Sequence, residues 1–355
     1  MKARWGAYSA LLCLIAALPT GCIGPTLQAP AIDAAALETE TRYQQEAFLH
    51  ESKRLRLKLF RASYPLFAGA VAFGQLPTRP SLGILLYHPS ASPENLRAAA
   101  EALWPMPQGL RIWAVAPGSP AEAAGLRADD LLLAVDDASL PDGPDGLPFL
   151  LSQLTTEHDL RLTIRRGEEE LTFTARPQPI ADVTIQLSWR QEANARASFT
   201  QIEMQAGMIR FCETDAELSF VIAHELAHVM LHHVRKTLLN YATGTLADAA
   251  LMVARIPSPN ALGLAGATRY AKEFEIETDY LSLYLLAASG LEIADALPFW
   301  RRIGLLHPPR EAEGVPLFPS HPDTAERYLR MEAAIEEIRA KEETGQPLFP
   351  TGWVH

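Results

Sequence analysis

The residues whose types and spacing point most directly to chemistry are His224, Glu225 and His228, in the segment His-Glu-Leu-Ala-His. Residues four positions apart lie on one face of a helix, so both imidazoles can bind one metal ion. Glu225 follows the first histidine, where its carboxylate can reach a metal-held water without being a ligand. Catalytic zinc takes three protein ligands and keeps one position open. The pattern therefore predicts a hydrolytic zinc site whose third ligand comes from elsewhere in the chain.

The residues around these histidines predict a helix. Thr214 and Glu217 have the spacing of a capping box, in which Thr214 caps the helix and Glu217 reaches back to its amide. The run from Leu218 to Leu239 contains no glycine or proline. Its apolar residues form a stripe beside the histidines: Val221, Ile222, Leu226, Val229 and Met230. Both imidazoles are therefore expected on one helix.

Two further histidines follow, His232 and His233. His232 continues the four-residue spacing, but three ligands over eight residues would span about 12 Å of helix axis, which is too far for one zinc ion. Both histidines are therefore interpreted as surface residues or as partners of the ligands.

Four acidic residues between Tyr270 and Leu286 offer the third ligand: Glu273, Glu275, Glu277 and Asp279. Acidic residues near a helix start are also favoured by the macrodipole, so some of them are expected to face solvent. Glu275 and Asp279 are four apart and share a face, so one can bind the metal while the other holds a histidine in its tautomer. Glu273 and Glu277 have the same spacing, and spacing alone does not choose between the pairs.

With these residues the chain resembles the HtpX, CaaX-prenyl-protease and BepA group of zinc metallopeptidases, of gluzincin type. Their pattern is H-E-x-x-H followed on a later helix by E-x-x-x-D, commonly with an aromatic residue before the glutamate. Phe274 to Asp279 fits this pattern, with Thr278 where alanine is usual. The resemblance implies that Glu275 is the third ligand of one zinc ion per chain and that Asp279 contacts a ligand from behind.

The resemblance continues upstream of the metal motif. Asn194-Ala195 and the stretch from Gln201 to Cys212 are similar to the family's strands before the metal helix, one of which pairs with the substrate backbone at a sheet edge. Strand-like spacing around a turn at Gly207 is given by Ile202, Met204, Ile209 and Phe211.

The resemblance also continues downstream. Ser320-His321-Pro322 with Arg327 is similar to the family's late His-Pro segment. This similarity implies that His321 and Arg327 belong to the catalytic site, where His321 would aid the transition state or cap the zinc. The alternative for His321 is an ordinary loop histidine beside a proline.

A separate module is predicted before the metalloprotease residues. The run from Ser119 to Leu126, then Asp130 and the strand from Leu131 to Val135, is similar to bacterial PDZ domains. A helix is expected from Leu147 to Leu154, and a hairpin from Leu160 to Ala175.

That resemblance also implies a peptide-binding loop. Leu82, Gly83 and Ile84 would present backbone amides to a peptide carboxylate while the peptide adds a strand. The sequence departs from the PDZ pattern between Ile84 and Leu110, where an extra helix is expected near Glu94 to Trp104. The alternative is a degenerate PDZ domain that only packs or positions.

The fold class predicted for the whole chain is α+β. A β-rich PDZ-like domain precedes a mostly helical, zincin-type metalloprotease domain with a small antiparallel sheet. The predicted segments are a signal peptide at 1–22, a helical tether at 23–79, the PDZ-like domain at 80–178, the zinc metallopeptidase domain at 179–345 and a tail at 346–355.

The N-terminus has the features of a targeting segment. A basic start is followed by the apolar run from Ala7 to Leu18. Gly21 before Cys22 resembles a bacterial lipobox, which implies lipid on Cys22, whereas Pro19 leaves ordinary cleavage or an uncleaved anchor open. The resemblance implies a lipid-anchored protein on the periplasmic side of the cell envelope. Because Ile23 is not acidic, the outer membrane is favoured.

Composition narrows the function classes. The net charge of −11 and the lack of a basic patch argue against a nucleic-acid partner. After the signal, no uninterrupted apolar run of about 20 residues is present, which argues against an intramembrane metalloprotease. The predicted function is zinc-dependent cleavage of envelope proteins, misfolded or unassembled, with Glu225 as general base. The alternative is an envelope chaperone or assembly factor that binds client proteins, with its metal site silent or autoinhibited. The oligomeric state stays open.

Overall fold

A computed structural model describes residues 26–27, 29–106, 108–305 and 325–354. Its helices are α1 Ala34–Gly69, α2 Glu94–Leu103, α3 Pro120–Ala124, α4 Gly146–Gln153, α5 Ala206–Phe211, α6 Asp215–Met230, α7 His233–Val253, α8 Ala261–Thr268, α9 Ala271–Ala288, α10 Ala296–Gly304 and α11 Ala325–Glu343. Its strands are β1 Thr78–Ser81, β2 Ile84–Tyr87, β3 Leu110–Val115, β4 Leu131–Val135, β5 Ala138–Ser139, β6 Leu160–Arg166, β7 Glu169–Ala175, β8 Gln178–Ala181, β9 Thr184–Ser188, β10 Ala195–Ala197 and β11 Gln201–Gln205. The strands precede most of the helices, and the predicted α+β class is confirmed.

The chain divides into two units within α1. Residues up to Gln44 form the first unit, and their described side chains are exposed. Residues from Gln45 onward form the second unit, which contains every other described helix and strand.

The PDZ-like module is built on one sheet with strand order β2-β3-β4-β6-β7, and β5 pairs with β4. β6 and β7 form the predicted hairpin around Gly167. Helix α3 ends at Gly125, whose φ of 92° is the left-handed conformation expected of a helix-terminating glycine. The core of this module is its own, and its members include Leu82, Leu110, Ile112, Leu132, Leu150, Leu160, Leu162 and Ile164.

The insertion between β2 and β3 attaches this module to α1. The predicted extra helix is present as α2, which packs Leu96 and Ala100 against Leu49 of α1. Beside it, the rings of Tyr87 and Trp113 stack with centroids 4.0 Å apart. The segment that departs from the PDZ pattern therefore forms packing contacts between the sheet and α1.

A second and larger core surrounds α6. It takes apolar side chains from α1, the three-stranded sheet β10-β11-β9, and helices α5, α6, α9, α10 and α11. β10 pairs with β11 antiparallel, whereas β9 pairs with β11 in parallel. From α1, this core receives Leu55, Leu59, Leu66 and Phe67. Helix α1 therefore packs against the elements that carry the metal motif.

One local prediction is wrong. Ile209 and Phe211 belong to helix α5 rather than to a strand, because the chain enters a helix directly after Gln205 and buries Ile209 against the large core. The run from Leu218 to Leu239, which contains no glycine or proline, is divided between α6 and α7 at His232, whose φ of 54° is incompatible with a continuing right-handed helix. Among the described residues, no helix is both long and apolar enough to cross a bilayer.

Candidate metal centre

Helix α6 carries the first two candidate ligands through the larger core. Its cap is as predicted at Thr214, whose Oγ1 accepts from the amide of Glu217 at 3.1 Å. The Glu217 carboxylate accepts from the amide of Glu213 at 2.7 Å and pairs with Arg302. Burial opposes ionisation of Glu217, but Arg302 and the amides outweigh it and lower the pKa of this carboxyl. All residues from Glu217 to Met230 are buried, so the helix has a fixed position.

His224, His228 and Glu275 are brought together from α6 and α9. The Nε2 atoms of the two histidines lie 3.2 Å apart. Nε2 of His224 is 3.4 Å from Glu275 Oε2, and Nε2 of His228 is 3.4 Å from Glu275 Oε1. A tetrahedral zinc ion with bonds of about 2.0–2.2 Å separates its ligand atoms by roughly 3.3–3.6 Å. The two imidazoles and the Glu275 carboxylate, which has one oxygen beside each imidazole, are therefore close enough together to bind one zinc ion.

The charge of the cluster also suits a divalent cation. Three carboxylates and one guanidinium lie here, so with neutral imidazoles these groups carry a net charge of −2: Glu225, Glu275, Asp279 and Arg327. All of them are at most 5% exposed. Burial opposes protonation of His224, but the Asp279 and Glu275 carboxylates raise the pKa of its imidazole to about 9. A metal therefore competes with a proton for this histidine.

Asp279 and Arg327 contact two of the candidate ligands, His224 and Glu275. Asp279 Oδ1 lies 3.1 Å from Nδ1 of His224, as the resemblance implies. Arg327 of α11 donates to both oxygens of Asp279 at 2.7 and 2.8 Å, and its Nη1 lies 3.1 Å from Glu275 Oε2. Its guanidinium carbon is 4.1 Å from the centroid of the Trp300 ring. Arg327, expected among the catalytic residues, is thus placed in contact with Glu275 and Asp279.

His233 contacts the other histidine ligand. Its Nδ1 lies 3.0 Å from Nδ1 of His228, and its Nε2 lies 3.0 Å from Oε2 of Glu277. His233 is 3% exposed, whereas its neighbour His232 is exposed. From the sequence, both histidines received the same interpretation. No glycine, asparagine or proline marks the helix break at His232, so the different burial of the two residues could not be predicted.

Glu225 lies on α6 between the two histidine ligands and is 2% exposed. Its place beside His224 is the one that the motif assigns to a general base. Of the other predicted site residues, His321 and Cys22 lie outside the described residues.

The predicted PDZ loop has a different environment. Leu82 is buried in the PDZ-like core, and Ile84 begins β2 at the edge of the sheet. Gly83 has φ +75°, and its amide donates to Ser81 Oγ at 3.1 Å. A Cβ atom at Gly83 would lie 2.7 Å from the hydroxyl oxygen of Tyr64, a residue of α1. The loop is therefore packed against α1, and one of its amides already has an acceptor within the chain.

A cavity of about 310 Å³ lies next to this loop. It is bounded by α1, β1, β2 and α4, with contributions from β8 and β9. Most of its lining is apolar, including Phe60, Phe67, Leu86, Leu147, Leu151 and Ile185. The groove between β2 and α4 is thus walled in part by residues from outside the PDZ-like sheet, and no local sequence pattern indicates this contact.

Comparisons with known proteins agree with the two modules. Residues 163–335 match the sequence model of Peptidase family M48, and residues 111–166 match that of a PDZ domain. The Arabidopsis thaliana mitochondrial metalloendopeptidase OMA1 is 21% identical over 253 residues, which is 61% of this chain and 47% of that protein. A Synechocystis protein described as a serine protease, HhoA, is 27% identical over 117 residues, which is 32% of this chain and 29% of that protein. This chain therefore spans less than half of each relative.

A solved structure, that of the HtrA3 PDZ domain bound to a phage-derived ligand, is 22% identical and covers 29% of this chain and 89% of that one, with a TM-score of 0.24. The M48 match includes all three candidate metal ligands together with Glu225, Asp279 and Arg327. The prediction of a metallopeptidase domain after a PDZ domain is confirmed at this level: residues 163–335 match Peptidase family M48, and the PDZ match at residues 111–166 precedes most of that segment.

Proposed function

We propose that this protein is a zinc-dependent endopeptidase. The observation that carries the proposal is the convergence of three buried ligand side chains, His224, His228 and Glu275, whose nearest donor atoms lie 3.2–3.4 Å apart. The match of this segment to Peptidase family M48 supports the same reaction class. The E-x-x-x-D pattern at Glu275 and Asp279 supports the resemblance to the HtpX, CaaX-prenyl-protease and BepA group.

A divalent metal at this site would polarise the scissile carbonyl and make water a better nucleophile. Glu225 would accept the proton that the attacking water loses and then donate it to the leaving amine. Asp279 keeps the Nδ1 hydrogen of His224 directed away from the metal position, so that Nε2 faces it. Arg327 neutralises part of the charge on Glu275 and Asp279, which allows both carboxylates to stay buried.

Protein chains in extended conformation are the proposed substrates. β10 is an edge strand of the small sheet and packs against α6, the helix that carries Glu225, so a substrate segment could pair with β10 beside that helix. β2 is an edge strand of the PDZ sheet, beside the apolar cavity. A chain with exposed apolar side chains could bind there before cleavage, which suits misfolded or unassembled proteins.

We also propose that the enzyme acts in the bacterial cell envelope. The support is the N-terminal segment, in which an apolar run is followed by Gly21-Cys22 and resembles a bacterial lipobox. In this proposal lipid on Cys22 anchors the protein at the periplasmic face of the outer membrane.

The test is degradation of casein by the zinc-loaded chain that begins at Ile23. A Glu225→Gln variant, with its zinc content matched by atomic emission, serves as the control. Loss of a general base is expected to reduce the cleavage rate by about 10²- to 10⁴-fold. The same rate from both proteins would rule out the assigned role of Glu225. Zinc binding without cleavage by the parent would instead favour the chaperone or assembly-factor alternative.

A further inference from the structure

The two histidine ligands are held from behind by different groups. Nδ1 of His224 faces Asp279, a carboxylate that Arg327 binds through two hydrogen bonds. Nδ1 of His228 faces another imidazole, that of His233, at 3.0 Å. A metal-ligating histidine ordinarily directs its second nitrogen to a carboxylate, a carbonyl or water. The partner of His228 therefore needs its own explanation.

The positions of the hydrogens follow from the geometry. Nε2 of His228 lies toward His224 and Glu275, so as a ligand this nitrogen carries a lone pair and the hydrogen is on Nδ1. Nδ1 of His233 must then accept that hydrogen bond. A neutral His233 has its hydrogen on Nε2, which faces the Glu277 carboxylate at 3.0 Å. His228 thus donates to His233, and His233 donates to Glu277, so each donor in this series faces one acceptor.

Thr278 supports the same arrangement. Its hydroxyl donates to the carbonyl of Phe274 at 2.7 Å, so only lone pairs are left for other partners. Its Oγ1 lies 3.3 Å from Nδ1 of His228 and 3.2 Å from Nδ1 of His233, so it lies beside the hydrogen bond between the two rings and can accept a share of the His228 hydrogen. Thr278 is fully buried and occupies the position where the resembled pattern usually has alanine. This chain therefore places an additional acceptor beside one ligand.

The fold fixes His233 in this position. His232 adopts φ 54° at the junction of α6 and α7, which turns the first residue of α7 back toward α6. The His233 ring stacks on Phe274 of α9, with centroids 4.3 Å apart and an interplanar angle of 16°. Stacking sets the plane of the ring, and the contacts of its two nitrogens set its rotation within that plane.

We propose that His233 is a positioning residue for the metal centre, which together with Thr278 and Glu277 fixes the tautomer and the ring orientation of His228. The inference rests on the proposed metallopeptidase function and extends it to a residue outside the ligand set. His233 acts only through His228 and takes no part in the reaction itself.

The experiment measures Zn²⁺ affinity of the full chain by competition with a chromophoric chelator, and the visible absorption of the Co²⁺-loaded chain. His233→Leu removes both ring nitrogens and is expected to lower Zn²⁺ affinity by about 10- to 100-fold and to change the Co²⁺ bands. His233→Asn places an amide oxygen near the position of Nδ1 and is expected to retain most of the parent affinity. His232→Asn, on the exposed neighbour, is the matched control and should leave both measurements unchanged.

Parent-like Zn²⁺ affinity and Co²⁺ bands in His233→Leu would overturn the inference while leaving the proposed function intact. A parent chain that binds neither metal would overturn both. If His233→Leu does not fold, Thr278→Val decides, because valine keeps the shape of threonine and removes the accepting oxygen. A several-fold loss of Zn²⁺ affinity in Thr278→Val supports the inference, and an unchanged affinity contradicts it.

Discussion

The metal centre and the PDZ loop were both located from sequence motifs, but their hydrogen-bonding groups are directed differently. In the metal centre, the outer nitrogens of His224 and His228 are held by other residues, so the inner nitrogens face Glu275 and one another. In the PDZ loop, the amide of Gly83 is directed to Ser81 and the loop lies under Tyr64. A motif therefore identifies a site, but the partners of its polar atoms decide whether the site can accept a ligand directly.

The largest expected effect comes from removing the buried cation of the metal centre. Arg327→Met would leave Asp279 and Glu275 buried beside each other without compensation. Breaking a buried ion pair on one side destabilises proteins by about 3–5 kcal/mol. Urea denaturation followed by far-UV circular dichroism would measure the free energy of unfolding. Arg330→Met, on the exposed side of the same helix, is the control and should cost less than about 1 kcal/mol. Equal losses in both variants would contradict the role given to Arg327.

The second effect concerns the choice of the third ligand. Glu275→Gln removes a charged ligand from the metal position and is expected to lower Zn²⁺ affinity by more than about 100-fold. This loss is larger than the one expected for a residue that only contacts a ligand. Glu273→Gln, two residues earlier on an exposed face of α9, should bind Zn²⁺ like the parent. Chelator competition would measure both. A larger loss in Glu273→Gln than in Glu275→Gln would mean that the other acidic pair forms the site.

The sequence predicted the metal centre better than its surroundings, for physical reasons. His224 and His228 are positioned by local helical spacing, which a sequence displays directly. Glu275 and Glu273 have equivalent spacing, and the packing of α9 against α6 decides between them, so here the family resemblance was needed. The role of His233 depends on a positive φ at His232, which no residue type announces.

The PDZ region also has contacts that could not be predicted from the sequence, here between residues far apart in the chain. Strand β4, the hairpin of β6 and β7, and helices α2 and α4 were predicted closely, whereas β2, β3 and β5 were not predicted. The contact of Tyr64 with Gly83 joins residues of different elements, and neither residue carries a local sign of it. The same holds for Arg327, whose contacts with α9 arise only when α11 packs on it.

The third prediction tests whether the PDZ loop is restrained by its own hydrogen bond. Ser81→Ala would free the amide of Gly83, which could then donate to a peptide carboxylate. One added hydrogen bond to a charged group is worth about 1.5 kcal/mol, so affinity for a peptide with a free apolar C-terminus should rise about tenfold. Fluorescence anisotropy with a labelled peptide would measure this, with the amidated peptide as the reference.

Ser152→Ala, on an exposed residue of α4 in the same domain, should leave peptide affinity unchanged. The same gain for the free and the amidated peptide would show that Ser81→Ala widens the groove without exposing a carboxylate site. No gain in Ser81→Ala would mean that the hydrogen bond to Ser81 does not limit the loop, and the packing of Tyr64 would be the remaining restraint.

The smallest effect is expected at the far end of α11. Glu337 accepts from Tyr280 at 2.8 Å and pairs with Lys341 at 3.0 Å. Burial opposes ionisation of Glu337, but the hydrogen bonds from Thr351, Lys341 and Tyr280 outweigh it and lower its pKa to about 2. Because this pKa lies below the ordinary value of 4.5, the ionised carboxylate stabilises the fold above pH 4.5, and the contribution is lost as the pH falls toward 2. Glu337→Gln should therefore cost about 1 kcal/mol at pH 7 and progressively less below pH 4.5.

Thermal unfolding of the parent and Glu337→Gln between pH 7 and pH 3 would measure this difference, with Glu336→Gln on the exposed face as the control. A difference that stays constant with pH would mean that shape rather than charge matters at Glu337. The Zn²⁺ affinity of Glu337→Gln should equal that of the parent, since Arg327 lies at the other end of α11 and is held by its own contacts with Asp279. A reduced Zn²⁺ affinity would instead mean that α11 moves as a unit. In that case the metal centre, unlike the PDZ loop, would depend on contacts well beyond the residues that touch its ligands.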